Sequence, residues 1–186
     1  MEGWETIAKE IHQMYEKDQD LTVDPVLGTS EEGLEIKKKH TERMKEIVKQ
    51  FGWPSISKIG VRPSSEAWFL VHHSDQDVQF QKEVLEILKK LPEDEVKLVN
   101  IAMLEDRVRK NQGLPQLYGT VWVFDPETEK QVPYPIEDPE NVDERRKKMG
   151  LDSMDDNRQR LEDWEDMLNT MKENIKATKE PFDKLQ

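Results

Sequence analysis

Apolar residues recur at every third or fourth position through most of this chain, the spacing that places them on one face of an α-helix. Near the N-terminus, Trp4, Ile7, Ile11 and Met14 form such a stripe. A helix with one apolar stripe needs a partner that covers it, so the chain must fold as a packed set of helices. Leu, Ile, Val and Phe make up 44 of the 186 residues, about 24% and above the roughly 20% below which chains tend to be disordered, so we expect a modest core.

The predicted fold is mainly α: a single domain over residues 1–186, with six or seven helices and one short β-hairpin. Capping residues, prolines and glycines mark the ends of the helices. The helices are predicted at about residues 3–17, 29–51, 64–71, 78–91, 94–111, 140–149 and 153–177. Residues 118–124, rich in β-branched and aromatic side chains, are predicted to pair with residues 130–133.

Charge and composition exclude several classes of function. The chain has 28 Lys and Arg against 40 Asp and Glu, a net charge of -12, which repels nucleic-acid phosphates and anionic lipids. Nucleic acid and membrane are therefore not expected partners. Cysteine is absent, which excludes disulfides, thiolate metal sites and cysteine nucleophiles. The first twenty residues lack the basic and apolar regions of a secretion signal, so we expect a cytoplasmic protein.

Polar side chains occupy positions where apolar ones are expected. Asp77 and Gln81 share the helix face of Phe80 and Val84, and Arg107 extends the apolar face of the next helix. A buried carboxylate or amide without partners costs several kcal/mol, so these groups require hydrogen bonds or a polar cavity. Arg107 can pair with a nearby Asp or hold an anionic ligand, and the sequence leaves both possibilities open.

These positions define a candidate site where residues 73–81, the helix end at 106–107 and residues 116–120 converge. The predicted catalytic residues are His73, Asp75 and Asp77, and the predicted ligand-binding residues are Gln81, Asp106, Arg107, Gln116 and Tyr118. His73 would carry a proton at neutral pH, oriented by Asp75 or Asp77, and Arg107 and Gln116 would hold a small polar or anionic molecule. No metal is predicted, because a third protein ligand would have to come from His40 or His72. No cofactor is specified.

A second hypothesis stays open beside this one. The same polar residues can form a purely structural network in a non-catalytic interaction or immunity-type module. The C-terminal stripe, which begins with Met154, Leu161 and Trp164, either packs within the chain or forms a homodimer seam. The basic runs at 37–39 and 145–148 are interpreted as solvated helix faces.

Several motifs also occur together in an order typical of one family. They are Gly52-Trp53-Pro54 with Gly60, the runs His73 to Gln81, Leu104 to Arg107 and Gly113 to Thr120, and the segments Pro135 to Asp138 and Asp143 to Leu151. In this series, over about residues 41–151, the chain resembles the bacterial domain-of-unknown-function family 6624. Where family members commonly carry Gln-His-Ala-Asp, this chain has His72-His73-Ser74-Asp75, so His72 is set aside as incidental. The resemblance supports the choice of residues without supplying a reaction.

Overall fold

The structure, a computed structural model, describes residues 3–21, 23–24, 28–128, 130–164, 166–167 and 170. It is mainly α with a short β-hairpin, as predicted. The helices are α1 (Trp4–Gln19), α2 (Glu31–Phe51), α3 (Ile56–Ile59), α4 (Val61–His72), α5 (Val78–Leu88), α6 (Leu98–Asn111), a 3-10 turn (Pro139–Asn141), α7 (Val142–Lys148) and α8, which covers residues 154–164. Within these described ranges, no helix is long and apolar enough to cross a membrane.

Helix α4 lies at the centre of the helical packing. It contacts α1, α2, α3, α5 and α6, while α5 and α6 also pack on each other. Its apolar run supplies Ala67, Trp68, Leu70 and Val71 to the core, because a helix enclosed by other helices has no face reserved for water. All five residues from Ala67 to Val71 are apolar, and four of them are buried.

Two helix starts differ from the sequence expectation. The stretch expected to be a loop up to Pro63 contains α3, and α4 begins at Val61 because proline is tolerated in the first turn of a helix, where its missing N–H costs no hydrogen bond. Helix α6 begins at Leu98 and not at residue 94 or 95. Glu95 instead bridges to α3, where its carboxylate accepts the Ser57 N–H at 3.0 Å.

The hairpin consists of β3 (Trp122–Asp125) and β4 (Lys130–Pro133), paired antiparallel with Trp122 opposite Pro133. Its first strand starts at Trp122, four residues later than predicted. Two further strands, β1 (Val23–Asp24) and β2 (Gly28–Thr29), form a second, very short antiparallel pair that the sequence did not predict.

The C-terminal helix is described only in its first part. Met154 is buried and Trp164 is exposed. The rest of the predicted helix, from residue 171 to 177, lies outside the described residues, as do the stripe positions Leu168, Met171 and Ile175. The dimer seam therefore stays a prediction.

Candidate functional site

His73 caps the C-terminal end of α4 and bonds to a carboxylate from another helix. Its Nδ1 atom lies 2.7 Å from Oδ2 of Asp18, near the end of α1. The Asp18 side chain is 2% exposed and that of His73 is 27% exposed. An ionised carboxylate only accepts hydrogen bonds, so Nδ1 carries the hydrogen and Nε2 is the ring nitrogen left to exchange a proton. Among the described residues, no group bonds to Nε2.

This pairing corrects the expected partner of His73. The sequence assigned Asp75 or Asp77 to orient its ring, but the chain turns sharply between α4 and α5 and these carboxylates bond elsewhere. Asp18 takes the role because α1 packs along α4 and brings its last turn to the end of that helix. The His73 ring also packs on Phe69, with ring centroids 4.0 Å apart.

Asp75 and Arg107 form a two-pronged ion pair across the α4–α5 turn and α6. Arg107 Nε donates to Oδ1 at 2.8 Å and Nη2 donates to Oδ2, while Asn111 donates to Oδ1 at 2.7 Å. Burial raises the pKa of the Asp75 carboxyl, but the bonds and charge of Arg107, with help from Asn111 and Gln81, outweigh burial and lower the pKa to about 2. The sequence had named this pair as one of the two possibilities for Arg107.

Gln81 anchors this pair to the core. Its side chain is fully buried, as its position on the apolar face of α5 predicts. The amide nitrogen donates to the carbonyls of Val71 and His72 at 3.2 and 3.1 Å, and the amide oxygen accepts from Asn111 at 3.2 Å. Gln81 thereby ties the end of α4 to α5 and α6.

His72 lies between the His73 and Arg107 groups. Its ring stacks on Trp68 at a centroid distance of 4.8 Å, and its buried Nδ1 atom has no hydrogen-bond partner in the described part of the chain. Burial first, and then the charges of Arg107 and of a protonated His73, lower the pKa of His72 to about 3 against the opposing charge of Asp75. At neutral pH the ring is therefore uncharged. His72, set aside as incidental in the sequence, lies close enough to both groups to feel their charges.

Asp106 and Gln116 hold the loop before the hairpin. Asp106 accepts the backbone N–H groups of Leu117, Tyr118 and Thr120 and the Thr120 hydroxyl, at 2.7 to 3.0 Å. Because the carboxylate takes these N–H groups, they cannot enter a β ladder, which explains why β3 starts only at Trp122. Burial raises the pKa of Asp106 despite these bonds.

Gln116 is fully buried and all three of its side-chain bonds go to the backbone. It donates to the carbonyls of Val121 and Tyr134 and accepts the Val121 N–H, at 2.7 to 2.9 Å. The half-buried Tyr118 ring has a raised pKa, first through burial and then through the charges of Glu105 and Asp106. These groups face the hairpin loop, whereas Arg107 faces the α4–α5 turn.

The structure therefore divides the predicted site into separate groups. Asp75, Gln81 and Arg107 meet directly, and Asp106 meets the backbone of the segment that carries Gln116 and Tyr118. Asp77 caps α5 by accepting the Phe80 N–H at 2.9 Å and pairs with Lys45 at 2.6 Å, away from His73. Burial raises the pKa of Asp77, but Lys45 and the Phe80 N–H lower it overall.

Comparison with known families gives one match to this chain. The model of a family of unknown function, DUF6624, matches residues 10–168. The chain belongs to this family. The match reaches beyond residues 41–151, the segment that carries the resemblance in the sequence, and takes in most of α1 and the described part of α8. No curated protein and no solved structure gives a significant match.

Within the DUF6624 segment, sequence reasoning missed Asp18 although a pattern pointed to it. The α1 stripe of Trp4, Ile7, Ile11 and Met14 continues at the same spacing to Asp18, so a carboxylate stands at a core position. The rule that identified Gln81 on α5 identifies Asp18 as well. The identity of its partner, in contrast, depends on how α1 and α4 pack.

Arg146 is a second missed residue and corrects the interpretation of the basic run 145–148 as a solvated face. Its side chain is 1% exposed, and it donates to the carbonyls of Asp152 and Tyr118 at 2.5 and 2.6 Å. Arg146 follows the buried Val142 by four residues, so it lies on the inner face of α7. It fixes the loop before the hairpin from the side opposite Asp106.

Five surface cavities of the described residues measure about 540, 340, 340, 280 and 200 Å³, and none of these five is lined by a predicted site residue. The largest of the five lies between the hairpin and α8. Within the described ranges, no group of three or more His, Asp or Glu side chains has the arrangement of a metal site.

Proposed function

We propose that this DUF6624 protein binds a small polar or anionic molecule beside His73 and acts on it by acid–base or hydrolytic chemistry. The observation that carries this proposal is the pair of a buried Asp18 carboxylate and His73 Nδ1, 2.7 Å apart, with Nε2 unbonded within the described residues. A carboxylate behind Nδ1 fixes the tautomer of a histidine and stabilises the imidazolium that forms when Nε2 takes a proton.

Arg107 and Asp75 supply the charge next to this base. Asp75 occupies two of the five N–H donors of the Arg107 guanidinium, which leaves three for an anionic group of a ligand. Their charges act on His72, as does that of His73 once His73 has taken up a proton, and His72 itself stays neutral. In this proposal Asp106, Gln116 and Tyr118 position the loop and do not touch the ligand.

We infer a cytoplasmic setting and partners other than nucleic acid from composition. An excess of 40 acidic over 28 basic residues repels polyanions over the whole surface. A ligand with an anionic group then needs a local cation, and Arg107 provides one.

The test uses p-nitrophenyl acetate and p-nitrophenyl phosphate as general hydrolysis probes. His73→Asn keeps an N–H donor near the Nδ1 position but lacks Nε2, so it preserves the bond to Asp18 while removing the base. We expect H73N and D18N each to lower turnover about 100-fold or more, with H73N retaining the wild-type melting temperature. His12→Asn, at a half-exposed imidazole elsewhere on α1, is the matched control.

Two results decide this proposal. Loss of turnover in H73N with H12N unaffected supports it. Equal turnover by wild type and H73N, or no turnover of either probe together with no shift of the His73 ring resonances on titration with inorganic phosphate, overturns it.

A second candidate function has its own supporting observation. The fully buried Asp106 and Gln116 have every polar side-chain atom bonded within the chain, as expected of a structural network in an interaction module. Phe124 on the hairpin and Trp164 on α8 are exposed apolar residues suited to a partner.

If α8 is a homodimer seam, sedimentation equilibrium of the full chain yields a dimer and Trp164→Ser yields a monomer. A monomeric wild type contradicts the dimer.

A further inference from the structure

Glu66 is a buried carboxylate in the middle of α4 with one oxygen unused. Its side chain is 5% exposed. His12 Nδ1 and Arg62 Nε both lie on Oε1, at 3.0 and 2.9 Å, whereas Oε2 is buried without a partner among the described residues. An unsatisfied buried polar atom costs about 1–3 kcal/mol, and more when it is charged. Such an atom calls for a functional explanation.

Glu66 also lines a cavity of about 280 Å³ beside the aromatic side chains of α1 and α4. The cavity wall includes Tyr15, Trp68 and Phe69, and the rings of Tyr15 and Phe69 meet edge to face at 5.2 Å. Arg62 and Lys97 add two positive charges to the lining, and Ser65 and Asn100 complete it. The cavity thus combines an apolar aromatic wall and two cations with Glu66, one of whose oxygens is buried without a donor in the described part of the chain.

The charges of the lining select the class of ligand. Arg62 already bonds to Oε1 of Glu66, so Lys97 and Oε2 of Glu66 are the two groups left for a ligand. A simple organic cation would leave Lys97 without a counter-ion, and a simple organic anion would leave Oε2 without a donor. A molecule that carries both an ammonium and a carboxylate satisfies both requirements. An apolar or aromatic side chain would lie against the ring wall.

We propose that this cavity binds a small zwitterion of the amino-acid type with an apolar side chain, its ammonium on Oε2 of Glu66 and its carboxylate beside Lys97. Arg62 controls access. Its side chain is 75% exposed and, within the described residues, bonds to Glu66 alone, so it can turn into solvent with the loss of one bond. The cavity shares the Phe69 ring with the His73 pair but contains none of the polar groups that are proposed to act there.

The experiment compares three probes of one size: L-phenylalanine, phenethylamine, which lacks the carboxylate, and 3-phenylpropionate, which lacks the ammonium. Binding is followed by NMR through the Trp68 indole N–H, assigned with Trp68→Phe. L-phenylalanine is expected to bind at least about tenfold more tightly than either single-charge probe, because each charge contributes one charge-assisted hydrogen bond.

Two variants test the assigned atoms. Glu66→Gln is expected to weaken L-phenylalanine binding about tenfold or more while leaving turnover of the hydrolysis probes unchanged. Lys97→Gln, on the surface, weakens L-phenylalanine but not phenethylamine, which keeps the test valid if E66Q fails to fold. Glu93→Gln, at an exposed carboxylate, is the control. Equal binding of the three probes, equal binding of L-phenylalanine by wild type and K97Q, or no shift of the indole resonance overturns the proposal.

Discussion

At the residue scale, side chains that break an apolar stripe hold this molecule's elements together. Asp18, Gln81 and Asp106 each stand where the helix pattern calls for an apolar group, and each is buried with bonds to another element. Burial of a polar group is favourable only when its hydrogen bonds are supplied, so these positions specify which surfaces must meet. They are the residues whose substitution should disturb the fold most.

Asp106 provides the clearest prediction. Asp106→Asn replaces one carboxylate oxygen with an amide nitrogen, which then faces the N–H groups of the 117–120 segment as a second donor. We expect the free energy of unfolding to fall by about 2–4 kcal/mol, measured by urea denaturation at neutral pH. Asp94→Asn, at an exposed position, should stay within about 0.5 kcal/mol of wild type. If D106N were as stable as D94N, the carboxylate would not be what holds this loop.

The sequence shows which polar residues stand at core positions, but it does not show which groups they bond to. Gln81 and Arg107 were identified because helix periodicity puts them on a buried face, and periodicity is a local property. The partner of His73 was wrong because Asp75 and Asp77 are near it in sequence, whereas Asp18 is near it only in space. Distances between side chains on different helices follow from packing, which one stripe does not determine.

At the element scale, the predicted ends of helices agree with the structure where a local cap or stop residue sets them. Ser30 caps α2 through the Gly33 N–H, and Gly52 follows the last residue with a positive φ, so that the helix ends at Phe51, the predicted position. They failed where the chain bonds to a distant element instead of its neighbours. Glu95 joins α3 and delays α6, and Asp106 takes the amides before β3 and shortens that strand.

The contact between α8 and the loop before the hairpin restricts which residue can stand at position 119, where the chain has Gly119. It adopts a φ of 67°, which favours glycine, and a Cβ there would overlap the Sδ atom of Met154 on α8. Any other residue here would be strained by the backbone conformation and would also have to displace the end of the Met154 side chain. The buried Arg146, bonded to the neighbouring Tyr118 carbonyl, holds the same junction from α7.

At the scale of the whole molecule, acid should destabilise the fold well above the range where its carboxylates titrate. His72 has a folded pKa of about 3, against about 6.5 for an unfolded histidine, and burial also lowers the pKa of His40. Below pH 6.5 the unfolded chain takes up protons that the folded chain refuses. Stability is therefore full above that pH and falls as the pH drops toward 3, by up to about 1.4 kcal/mol per pH unit for His72, and His40 adds to the fall in the same direction.

His72→Phe isolates one of these contributions because it keeps an aromatic ring on Trp68 and removes both the titratable nitrogen and the unpartnered Nδ1. Between about pH 6.5 and 4.5, above the titration range of most carboxyls, urea unfolding of H72F should show a slope shallower by nearly one proton than that of wild type. At neutral pH the variant should be at least as stable as wild type, since no buried polar atom is left unsatisfied at this position. An unchanged slope would mean that His72 takes up a proton in the folded state, and the neutral ring assigned between Arg107 and His73 would then be wrong.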